Sequence, residues 1–363
     1  MLNYYQHRFQ RIKRSSSKYF IRCTPKSINR RSGGIIVLIV RRKRRGDERE
    51  NIETGVDMEF FVSWYRGDAY YPLYDDDCSL LISITSVSQD WTIHSFPKFP
   101  SRLLIDSGGY RFAIAPHEAL SPKRVLERQL SLLADERIPT IICARDYPIL
   151  DASLSMTEKD KCITQTIAFA YELKNLLVQR ELPKNITPMA IVQGYDVASL
   201  EYCARELRSI GFPLYGLGSL AVLKRHAPVV ERVCAVASVI GAEKLHIFGV
   251  SLIQTAQALR DMGVHSIDSA RPAKSAAYNE ILYSFPFRRF GILEASPMDV
   301  PLRGRIPRER RLSFPLACNC PICVKTPESI MGVGRRLNIR SRGVHNYYHL
   351  KRILCERDDG QHV

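Results

Sequence analysis

The densest chemistry in the sequence lies near its C-terminal end, where Cys318-Asn319-Cys320-Pro321-Ile322-Cys323 puts three thiols within six residues. Two histidines, His345 and His349, follow after a stretch that reads as helical. Three thiolates and one imidazole make a tetrahedral Cys3His set that suits Zn2+, with His345 as the expected fourth ligand and His349 as the fallback. A shell filled by protein leaves no open position, so the expected role is structural. Three unmetallated loop thiols are the alternative. The chain holds ten cysteines, and the other seven are scattered; with no secretion pattern, the cluster points to metal before disulfide.

A second group of polar residues is spaced more widely. Asp106, Asp146, Gln193, Gly218, Gly249 and Asp268 each fall at or just past the end of a short β-branched or apolar run. Those runs, at residues 103–105, 140–142, 189–192, 214–217, 245–248 and 264–267, read as buried parallel strands, with further candidates at 81–85 and 289–294. Apolar positions at helical spacing fill residues 121–135, 158–181, 196–210, 222–240 and 252–262 between them. The alternation predicts an α/β fold, a (β/α)8 TIM barrel, because only a closed barrel gathers the ends of all its strands at one mouth. An open doubly wound sheet would spread them along its edge. The expected organisation is a basic extension over 1–57, a barrel over 58–300, and a zinc-binding subdomain with a barrel-completing C-terminal helix over 301–363. Four prolines among arginines mark residues 296–316 as an irregular linker.

At 363 residues the chain is long enough for a core that needs no disulfides. Its net charge of +16 favours a polyanionic partner such as nucleic acid. Much of that excess sits in residues 1–57, which hold 15 Lys/Arg against 5 Asp/Glu, including the run Arg41-Arg42-Lys43-Arg44-Arg45. This segment reads as a weakly ordered arm, and three accounts stay open for it: a phosphate-binding arm, a targeting extension, or a start assigned too early, since Met58 opens the strand-like run Glu59-Phe60-Phe61-Val62. Its longest apolar run, Ile35 to Val40, is too short to cross a bilayer. The expectation is a soluble, cytoplasmic protein with no membrane partner.

From about residue 100 to 350 the sequence resembles the tRNA-guanine transglycosylases. The resemblance rests on a series in the family's order: Asp106-Ser107-Gly108-Gly109-Tyr110, Ile191-Val192-Gln193-Gly194, Gly216-Leu217-Gly218-Ser219-Leu220-Ala221-Val222, Phe248-Gly249-Val250, Asp268 with Pro272, and the cysteine cluster ending in His345-Asn346. It implies a (β/α)8 barrel with a zinc insertion, and an enzyme that exchanges a guanine base in nucleic acid for a free 7-deazaguanine. By position, Asp268 looks like the nucleophile that forms a covalent bond to the sugar, and Asp106 like the acid/base. Breaking a C–N glycosidic bond leaves positive charge on the sugar and negative charge on the base, which a carboxylate and a proton donor answer. The division of labour parallels retaining glycosidases. Taken alone, Asp106 after a strand also reads as a helix N-cap.

The resemblance gives Asp146 and Gln193 to the guanine edge, Gly218, Ser219 and Leu220 to a loop whose backbone meets the base, and Tyr110 and Phe248 to its two faces. Phe248 reads equally as a buried strand residue. Arg111 stands where the family usually has Gln, Ser219 where Gly is common, and Lys274 where bacterial members have Arg. These departures bear on substrate choice, and relatives that modify DNA share the same core. The expected polymer is tRNA, with DNA as the alternative, a non-catalytic nucleic-acid-binding partner subunit as a second, and a small-metabolite enzyme as a third. A homodimer or heteromer is compatible with all of them.

Overall fold

The structure, a computed structural model, describes residues 58–134, 136–220, 223, 225–295 and 306–355. The basic extension, Ala221 and Val222 of the Gly216–Val222 motif, and residues 296–305 of the expected linker lie outside the described residues. Residues Thr54–Val363 form one compact unit.

Eight parallel strands close into a barrel: β1 (Glu59–Trp64), β2 (Ser79–Ser83), β3 (Arg102–Asp106), β4 (Thr140–Cys143), β5 (Ile186–Val192), β6 (Leu214–Leu217), β7 (Leu245–Ile247) and β8 (Ser266–Ser269). Closure is made by β1 against β8, with Phe61 opposite Asp268. The expected (β/α)8 barrel is therefore the fold. One strand differs from expectation. Residues 289–294, a candidate for the barrel, supply β10 (Arg288–Ile292), which pairs with β9 (Glu280–Tyr283) and β11 (Arg311–Leu312) in a separate three-stranded sheet. The run at 59–62 takes the barrel position.

Strand packing follows the chemistry of the side chains. Phe61, Leu81, Leu104, Ile141, Cys143, Met189 and Ile191 point inward and fill the barrel, while a larger apolar layer lies between strands and helices. The main outer helices are α1 (Gly109–Ile114), α2 (Pro122–Leu133), α3 (Met156–Gln179), α4 (Val197–Ile210), α5 (His226–Ile240), α6 (Ile253–Asp261), α7 (Arg271–Ala277) and α8 (Arg336–Cys355). Their starts are written in the sequence. Ser121 caps α2 with Pro122 in its first turn, and Ser155 with Glu158 makes a reciprocal capping box on α3. Asp196 and Ser199 do the same for α4, which ends at Gly211 in the left-handed region.

Two buried polar side chains fix the parts that matter most. Gln129 on α2 donates from its amide to the Ile105 carbonyl at 3.0 Å and the Cys143 carbonyl at 2.9 Å, tying the ends of β3 and β4 together just below the mouth. Arg342 on α8, fully buried, donates to the carbonyls of Ala276, Ile330 and Gly332 and to the Asn279 side chain. That fork joins α8 to the end of α7 and to the loop after the cysteines. No described helix is long and apolar enough to cross a membrane.

Candidate active site and metal centre

All eight strands end at one mouth, and each contributes to it. Asp268, the third residue of β8, is 5% exposed and accepts from Ser63 Oγ of β1 at 2.6 Å and from the Gly249 backbone N–H at 2.7 Å. A carboxylate held by two donors has a fixed orientation. Asp106 ends β3 and accepts from the Gly108 N–H at 3.0 Å. Its carboxyl is raised above the usual carboxylate range, by burial first and also by the Asp268 charge, against the pull of its bonds to Gly108 and Ser83 of β2. The N-cap alternative for Asp106 has a clear geometric answer: Gly108, in the left-handed region, is the N-cap of α1, and no side chain caps that helix.

Asp146 follows β4 and is buried. Ser107 Oγ donates to its Oδ1 at 2.9 Å, and Gln193 Nε2 donates to its Oδ2 at 2.6 Å. Burial and then the Asp106 charge push its pKa up to about 7, against those two hydrogen bonds. Gln193 follows β5, and its carbonyl accepts from the Ser219 hydroxyl, which itself accepts from the Ile149 N–H at 2.9 Å. One N–H of Gln193 is thus spent on Asp146, and the amide carries a second one. The three carboxylates form an electrostatic series across the mouth, in which the Asp268 charge raises Asp106 and the Asp106 charge raises Asp146.

The close quarters explain two glycines. A Cβ on Gly109 would overlap the Asp146 carboxylate, and one on Gly218 would overlap the Gln193 amide. Ser219 has a φ of 55°, a conformation that glycine takes freely and serine does not. Its hydroxyl bonds to Gln193 and Ile149 accompany that strained backbone, so the departure from the common glycine comes with a new tie between two loops. Leu220 is buried in the core. Tyr110, in the first turn of α1, is 62% exposed at the rim, whereas Phe248 is half-buried, packed on the inner cluster and edge-on to His246 with ring centroids 4.5 Å apart.

Several residues at the mouth escaped the sequence reading. Ser63 and His246 carry no signal of their own, being polar residues inside strand-like runs, and Ser107 reads only as part of the Asp106–Tyr110 motif. Tyr65, just beyond β1 and half exposed, has its hydroxyl raised by partial burial and by the charges of both Asp106 and Asp268. A polar residue at the end of β1 was findable only once residues 59–64 were counted as a barrel strand.

The metal set lies beside the three-stranded sheet. The ligand atoms of Cys318, Cys320, Cys323 and His345 all fall within 4.8 Å of one another and could hold a metal ion. His345 Nδ1 is 3.7, 3.3 and 3.4 Å from the three sulfurs in turn. Its Nε2 meets the Leu282 carbonyl at 2.9 Å. That bond puts the proton on Nε2 and leaves the Nδ1 lone pair aimed at the sulfurs, as a ligand requires. His349 stands apart, its Nδ1 accepting from the Ser284 N–H at 3.0 Å. Burial holds its pKa down at about 3.

Residues 81–357 match the family described as queuine tRNA-ribosyltransferase. The chain belongs to this family. No curated protein matches it. Queuine tRNA-ribosyltransferase membership makes the chain a glycosyltransferase of the base-exchange type, in a family whose chemistry is guanine exchange in nucleic acid, and the match spans the mouth residues from β2 onward and the whole metal set.

Proposed function

We propose that this protein removes a guanine from tRNA and inserts a free 7-deazaguanine through a covalent intermediate on Asp268. The observation that carries the reading is the Asp268 carboxylate, oriented by Ser63 and Gly249 at the mouth and electrostatically coupled to Asp106. An Asp268 oxygen attacks C1′ of the sugar as the C–N bond breaks, and the bonding pair leaves with the base. Asp106, its pKa raised by burial, is the donor that supplies a proton to the departing base. In the return step the incoming base attacks C1′, the ester bond opens, and the proton of that base passes back to Asp106. Asp146 and the second N–H of Gln193 read the purine edge, and the Gly218–Leu220 backbone would add contacts to the base. Tyr110 and Phe248 flank its faces.

Cys318, Cys320, Cys323 and His345 would hold a Zn2+ ion, which supplies structural cross-linking. All four ligand positions are filled by protein, three from the loop after β11 and one from α8, so no reaction step passes through them.

Labelled guanine incubated with the protein and with tRNA or DNA separates the polymers. Label in tRNA supports the reading; label in DNA alone moves the same chemistry to DNA. No label in either, with polynucleotide binding intact, would mark a non-catalytic partner subunit.

A further inference from the structure

Around Asp268 one buried polar atom has no hydrogen-bond partner: Nε2 of His246. The ring is 0% exposed on β7, and its Nε2 lies 3.5 Å from Asp268 Oδ1. Phe61 and Phe248 meet the imidazole edge-on at 5.9 and 4.5 Å between centroids, which fixes its plane. On the far side Nδ1 is 2.9 Å from Ser266 Oγ of β8. A nitrogen facing a carboxylate in a buried site must carry a hydrogen, since a lone pair there would oppose the carboxylate's own. In a neutral ring the other nitrogen is then an acceptor, and Ser266 is its donor.

We propose that His246, its tautomer set by Ser266, is a positioning residue that directs an N–H to the Asp268 carboxylate. This rests on the reading of Asp268 as nucleophile. The 3.5 Å separation is at the outer limit of a hydrogen bond, and such contacts shorten when substrate fills a site. Asp268 loses its charge when an oxygen bonds to C1′ and the pair leaves with guanine. It regains the charge when the incoming base displaces it. A fixed donor serves the second event, receiving the returning carboxylate with no reorganisation. A donor to a carboxylate favours the charged form over the protonated one. The groups that face or feel Asp268 are Ser63 of β1 and the Gly249 N–H, which donate to it, Asp106 of β3, whose pKa its charge raises, and Tyr65 after β1 and Cys143 of β4, whose ionisation its charge opposes.

The test is guanine exchange, on whichever polymer accepts the label, followed across pH for His246→Phe, His246→Gln and Ser266→Ala. His246→Phe should lower kcat by about tenfold or more, the usual weight of a donor to a charged group. It should also move the acid limb of kcat/KM to higher pH. His246→Gln, whose amide can place an N–H near the same point, should restore the acid limb, and Ser266→Ala should shift it in the direction of His246→Phe by less. Should His246→Phe fail to fold, the other two decide. Unchanged kcat and acid limb in His246→Phe, or in Ser266→Ala where it alone is available, overturns the proposal, as does His246→Gln behaving like His246→Phe. Asp268→Asn in parallel keeps the two readings apart: turnover by that variant removes the nucleophile itself, whereas a dead Asp268→Asn beside a normal His246→Phe removes only the positioning role.

Discussion

Burying an aspartate next to another aspartate opposes ionisation, and Asp146 responds by keeping its proton to about 7. In an unfolded chain the same group loses it near 4. Because the folded pKa is the higher, its contribution to stability is full below about 4 and is lost as pH rises to about 7. Base recognition runs the other way, since a carboxylate must be ionised to accept from ring N–H and amino groups. Guanine affinity should therefore rise across about pH 7 and level off above it, and Asp146→Asn should flatten the profile; calorimetric titration at several pH values checks both. A flat wild-type profile would contradict the assignment of Asp146. At Gly218 the constraint is steric. Gly218→Ala should push the Gln193 amide aside and raise KM for guanine on the order of tenfold, with a smaller effect on kcat. Steady-state kinetics with guanine as the varied substrate would show it. Neither constraint was legible beforehand, because a glycine's neighbour 25 residues away is known only from the fold.

The element that most needs its partners is α8. Its buried face carries Arg342, His345, Asn346 and His349, an unusually polar set for a helix inside a protein. Asn346 accepts from the Leu282 N–H at 2.8 Å and donates to the Glu280 carbonyl at 3.0 Å, so hydrogen bonds pin the helix to β9 alongside its buried apolar residues. An element held this way depends on the cross-link at His345. Cys320→Ser, or a strong chelator, should lower the unfolding temperature and open residues 311–355 to proteolysis, because metal-binding energy on the order of 10 kcal/mol is then lost from the local fold. Metal analysis of the untreated protein should return zinc. Unchanged melting and protease resistance would make the cluster a set of free thiols. The cluster was readable because its spacing is local. The fate of β10 was not: an apolar run signals a strand but not its partner, and only the exposed Arg288 and Arg289 hinted that one end of this strand is not enclosed.

Across the whole molecule, what the sequence carried best was the repeating order of strand and helix, since each run is written in consecutive residues. Six strands and five helices are legible that way. Contacts across the closure were invisible, because Ser63 and Asp268 meet over 205 positions. The compact unit Thr54–Val363 contains every described residue at the mouth and the metal set. Deletion of residues 1–53 should accordingly leave the melting temperature and kcat at saturating polynucleotide unchanged. Its effect should be confined to binding, with a shallower dependence on salt as cationic side chains are removed. A loss of kcat would place part of the catalytic unit in that segment. The covalent step on Asp268 is the claim on which the functional account depends, and mass spectrometry of enzyme quenched during guanine exchange tests it most directly. The account predicts a sugar-linked adduct on the peptide that contains Asp268, present with wild type and absent with Asp268→Asn; turnover with no adduct, or an adduct on another residue, would contradict it.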